Sequence, residues 1–134
     1  MVEIEARYDG IKKCSLRHQE GATLRTDAPK DIGGDASAFS PTDLVAAALA
    51  ACVLTTVAMY AERHELDLTG MTAHVGKEMT SAPRRIGHLP LMVHLPASIA
   101  PEMRSTLERV AYGCPVHTSL HPDVDAPIEF HYDL

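Results

Sequence analysis

Ser40-Pro41-Thr42-Asp43-Leu44-Val45-Ala46-Ala47-Ala48-Leu49-Ala50-Ala51-Cys52 is the stretch from which the fold can be read. Ser40 can accept hydrogen bonds from a first helical turn, Pro41 is preorganised for position N1, and Asp43 completes a capping-box pattern. The helix begun there is expected to run to about Arg63. No residue from Leu44 to Ala61 is charged, which reaches the ~18 residues a membrane span requires. Its many alanines are small rather than strongly apolar, however, so a buried central helix is the expectation. Small residues on every side suit close packing by a sheet and other helices.

Outward from this helix, period-two alternation marks the strands. Val2, Ile4, Ala6 and Tyr8 alternate with charged residues, Asp9-Gly10 supplies a turn, and Cys14 and Leu16 continue on a return strand. Cys14 reads as a packed thiol. A weaker strand is expected over Ala22–Thr26, followed by an aperiodic loop from Asp27 to Phe39 of the length that often marks a binding segment. Beyond the helix, Met71–Met79 reads as one long strand. Leu89–Leu95 reads as another, with Pro90 implying an edge or a bulge. A second helix starts near Pro101 and stops at Gly113, a short one follows Cys114-Pro115, and Ile128–Leu134 alternates as a last strand. The expectation is an α+β fold in the order β-β-β-α-β-β-α-β, a single domain over residues 1–134.

Composition narrows the function. A net charge of −6 with no basic run argues against nucleic acid and anionic membranes, and 4% aromatic residues leave little for base stacking. With no secretory signal, a cytoplasmic location is expected, and three cysteines there do not make a disulfide scaffold. Two of them have contrasting chemistry. Cys52 lies among alanines, where desolvation disfavours the thiolate, whereas Cys114 stands where backbone N–H groups favour it. A thiol to attack and a thiol to resolve are the minimum for reversible redox work.

The Ser40–Cys52 motif together with Cys114-Pro115-Val116-His117 resembles the OsmC/Ohr family along the whole chain. The resemblance implies an intertwined homodimer with paired central helices and thiol-dependent reduction of organic hydroperoxides without cofactor or metal. It makes Cys52 the peroxidatic thiol and Cys114 the resolving one. The resulting disulfide would be opened by an external dithiol or a lipoylated protein. The family also sets a glutamate and an arginine beside the first thiol. Here the glutamate position is Thr42, with Asp43 the adjacent acid. Arg7, in the first hairpin, is the candidate cation one residue out of step; Lys30 is the other, although lysine cannot reproduce a bidentate guanidinium contact.

Two other readings stand beside this one. Cys114, His117 and His121 have metal-ligand spacing, with His64, His88 or His94 as a fourth ligand, although eight histidines make chance spacings common. Alternatively, Leu54, Met59 and Met92 would line a cavity holding a hydrophobic ligand without chemistry.

Overall fold

The structure is a computed structural model describing all of residues 1–134. The chain gathers into two compact units, Met1–Val45 and Ala46–Leu134. Their boundary falls inside helix α1 (Pro41–Arg63), so no linker intervenes.

The first unit is an antiparallel meander of β1 (Ile4–Gly10), β2 (Lys13–His18) and β3 (Thr23–Asp27). Its register sets Ala6 opposite Leu16 and Leu16 opposite Leu24, so one face is apolar. The other carries Glu5, Arg7, Arg17 and Arg25, with Arg17 paired to Glu5 at 3.0 Å. Within one chain the apolar face is bare, Ile4 and Tyr8 being 62% and 67% exposed.

The loop after β3 is clasped by Asp27, whose side chain is fully buried. One of its carboxylate oxygens accepts from the Ser37 amide at 3.0 Å and the Ser37 hydroxyl at 2.6 Å. Lys13 Nζ lies 3.3 Å from Asp27 and 2.6 Å from Asp35, closing the clasp. These partners, Ser37 foremost, hold the Asp27 carboxyl well below the usual carboxylate range. Gly34 passes so close to the Ala28 carbonyl that a Cβ would stand 1.8 Å from its oxygen.

α1 begins as the sequence predicts. The Ser40 hydroxyl accepts from the Asp43 amide at 3.1 Å, and the Asp43 carboxylate accepts from the Ser40 amide at 2.8 Å. In the second unit Ala46, Leu49, Val53, Val57 and Ala61 form one buried stripe, spaced three or four residues apart. Ala48, Ala51, Thr55 and Met59 form an exposed stripe at similar spacing. By length and apolarity α1 could cross a membrane, yet its buried stripe supplies much of this unit's core.

That core is completed by a sheet in the order β4-β7-β8, with β4 (Thr72–Val75) antiparallel and β8 (Ile128–Tyr132) parallel to the central β7 (Leu91–Leu95). Leu91, Val93 and Leu95 are buried, as are Leu107 and Ala111 of α2 (Pro101–Tyr112). Two tyrosines tie α2 to β8. Tyr112 Oη accepts from the Ile128 amide at 2.9 Å, and Tyr132 Oη donates to Glu108 at 3.0 Å.

The two strands expected over 71–79 and 89–95 become four. The first run breaks at Gly76-Lys77 into β4 and β5 (Glu78–Ser81), and β5 forms a separate hairpin with β6 (Arg84–His88). Gly76 and Pro90 face each other at the break. The Gly76 amide donates to the Pro90 carbonyl at 2.9 Å, and the proline ring would crowd a Cβ on residue 76 at 3.2 Å. Pro90 thus lies just ahead of a central strand rather than in an edge strand or a bulge.

The clasp predicts a pH dependence. A carboxyl whose folded pKa is depressed contributes stability above its unfolded value of about 3.9 and loses it as pH falls through the folded value. Asp27→Asn should therefore melt below wild type at neutral pH, with the gap closing under acid. Thermal denaturation over a pH series checks this, and a gap indifferent to pH would remove the charge from the account.

Candidate active site

Cys52 stands in the middle of α1, half-buried, on the turn between the core stripe and the exposed one. Its Sγ lies 3.9 Å from the Thr56 hydroxyl, one helical turn on. Thr56 is a polar neighbour that the i, i+4 spacing could have disclosed.

Cys114 is fully buried and caps the five-residue helix α3 (Pro115–Ser119). Its Sγ accepts from the His117 amide at 3.3 Å. Burial pushes the Cys114 thiol up, and the His117 amide opposes this by favouring the thiolate. Cys52 is a further contributor to the rise, as a hydrogen-bond partner and as a like charge when ionised. Two free thiols far apart in sequence thus belong to one compact unit, and Cys52 weighs on the Cys114 thiol. Cys14 is half-buried on β2.

Arg7 and Asp43 have local partners. The Arg7 Nε donates to Asp9 at 2.8 Å, and Asp9 also accepts from the Ser15 hydroxyl. Asp43 serves the α1 cap. Lys30 opens a single 3-10 turn, Lys30–Ile32. Of the metal-spaced residues, the His117 Nε2 lies 2.9 Å from the Ala126 carbonyl, and the His121 Nδ1 accepts from the Asp123 amide at 3.0 Å. No three His, Cys, Asp or Glu side chains gather closely enough to hold a metal ion.

Residues 34–129 match the model of the OsmC-like protein family, a span that takes in both thiols. The chain belongs to the OsmC-like family. One solved structure is 35% identical, with a TM-score of 0.93 over 98% of this chain and 96% of its own. That protein, from Psychrobacter arcticus 273-4, is provisionally named as an osmotic stress induced and detoxification response protein. Two more distant structures share the fold. The organic hydroperoxide resistance protein OsmC of Legionella pneumophila has 20% identity and a TM-score of 0.76, over 98% of this chain and 96% of its own. The organic hydroperoxide resistance protein OhrB of Bacillus subtilis has 20% identity and a TM-score of 0.70, over 97% of each chain. No curated protein matches the OsmC-like chain described here.

Because Asp43 closes the α1 capping box from the third helical position, Asp43→Ala should cost about 1 kcal/mol of stability. Asp43→Asn, which still offers an acceptor, should cost less. Urea denaturation of both variants checks this; equal losses, or none, would move Asp43 out of the cap.

Proposed function

We propose that this OsmC-like protein is a thiol peroxidase that reduces organic hydroperoxides through Cys52 and Cys114. The reading is supported by a half-buried helical thiol that weighs on a second, buried thiol, the latter holding a backbone N–H donor. Both partners of a reversible disulfide are then present in one chain.

In this scheme the Cys52 thiolate attacks the terminal peroxide oxygen. A sulfur–oxygen bond forms, the oxygen–oxygen bond breaks, and the alkoxide leaves and takes a proton to become an alcohol. Cys52 is then a sulfenic acid. The Cys114 thiolate attacks that sulfur, hydroxide departs and is protonated to water, and the two electrons that reduced the peroxide are accounted for by a new disulfide. An external dithiol, free or carried on a lipoylated protein, restores both thiols by exchange. A reducing compartment such as the cytoplasm would keep the resting cysteines as thiols.

The unit of function in this proposal is a homodimer. The Ala48-Ala51-Thr55-Met59 stripe of α1 is of small or flexible residues that allow two helices close approach, and the β1-β2-β3 sheet has an uncovered apolar face. A second copy would take both out of water.

Cys52→Ser should reduce turnover of cumene hydroperoxide with a dithiol reductant to background. Cys114→Ser should still consume about one equivalent of peroxide and leave a Cys52 sulfenic acid that a dimedone-type reagent traps. Reductant-linked kinetics and intact-mass measurement report both. A wild type that is folded, reduced and silent would overturn the proposal.

A further inference from the structure

His117 has two attachments besides its place in α3. A carbonyl oxygen can only accept, so the ring nitrogen 2.9 Å from Ala126 carries a hydrogen, and the His117 Nε2–H is the donor. The ring meets Tyr112 edge-on, with centroids 5.3 Å apart. Tyr112 in turn holds the Ile128 amide at 2.9 Å through its hydroxyl. The imidazole and the phenol therefore fasten both sides of the α2–α3 corner to the segment leading into β8. Cys114 lies at that corner, between Tyr112 and His117 in sequence. The backbone of His117 itself supplies the N–H that points at the Cys114 sulfur.

We propose that His117 is a positioning residue for Cys114: the ring bond to Ala126 fixes the α3 turn so that the His117 amide stays aimed at the sulfur. The consequence for the resolving step rests on the redox function proposed above; the effect on the thiol itself does not. Hydrogen bonds weaken steeply as they bend, so a turn free to rock would lose much of this donor. In a buried site the thiolate has few substitutes for it. Burial raises the Cys114 thiol, and the amides of His117 and Val116 act in the opposite sense. A slackened turn would thus leave less thiolate to attack the Cys52 sulfenic acid, while the first attack on peroxide would be unchanged.

The test uses a Cys14→Ser/Cys52→Ser background, in which Cys114 is the sole thiol, and follows thiolate ultraviolet absorbance against pH. His117→Phe keeps an aromatic ring but loses the ring donor, and should raise the Cys114 midpoint by about one unit, a tenfold loss of thiolate at a given pH below it. His117→Gln carries an amide N–H at similar reach and should restore the wild-type midpoint. In the protein with all three cysteines, stopped-flow peroxide oxidation should show disulfide formation slowed about threefold by His117→Phe, the lost thiolate being partly offset by its greater nucleophilicity, with Cys52 oxidation unaltered. Equal midpoints in wild type and His117→Phe, or a Gln variant as impaired as Phe, would overturn the proposal. Nitrogen NMR of the wild type adds an arm that needs no variant to fold: the ring must carry a hydrogen on Nε2, and a bare Nε2 overturns the assignment. Because the titration involves no peroxide, a shifted midpoint in a chain without turnover would retain the role of His117 and sink the redox reading. Turnover with an unshifted midpoint would do the reverse.

Discussion

The second unit depends on one stripe of α1. Ala46, Leu49, Val53, Val57 and Ala61 share a unit with the buried residues of β7 and α2, and each turn of the helix contributes a side chain to that core. Small residues let backbone approach backbone, so the position of a flanking residue such as Cys52 is set by packing rather than by its own contacts. The opposite stripe contributes nothing to this core and remains available for another surface. One helix thereby serves as wall, as carrier of a thiol and as a face still without a partner.

The chemistry at Cys114 is a contest between two local effects. Removal from water favours the neutral thiol, and an N–H aimed at sulfur favours the anion. Burial is the larger influence on this thiol. What the protein can adjust is the geometry of the donor, and that geometry is held by groups several residues away in α2, α3 and the approach to β8.

Much of the architecture was legible because it is written locally. The α1 start needs only Ser40, Pro41 and Asp43, all within one turn, and its boundaries came out as read. The final strand and α2 were likewise visible as alternation and as a helical face. The broken strands were not, since Gly76 and Pro90 look like isolated oddities until the fold sets them opposite each other. The parallel pairing of β7 with β8 is similarly non-local. At the site, both thiols could be named from sequence, but the full burial of Cys114 could not. His117 was noticeable for its spacing from Cys114; the Ala126 carbonyl that occupies its ring has no side-chain signature at all.

The loop clasped by Asp27 has a consequence for how such a chain can drift over evolutionary time. Polar positions at the surface of the loop can exchange at little cost, and insertions near its exposed bends would be tolerated. Gly34 has no such freedom, because any side chain would collide with the Ala28 backbone. Asp27 is held in one buried place by two residues, Ser37 through two groups and Lys13 through its ammonium. Among descendants the segment would therefore vary in length and polarity around two nearly immovable letters, and its most irregular stretch would hold some of its slowest-changing positions.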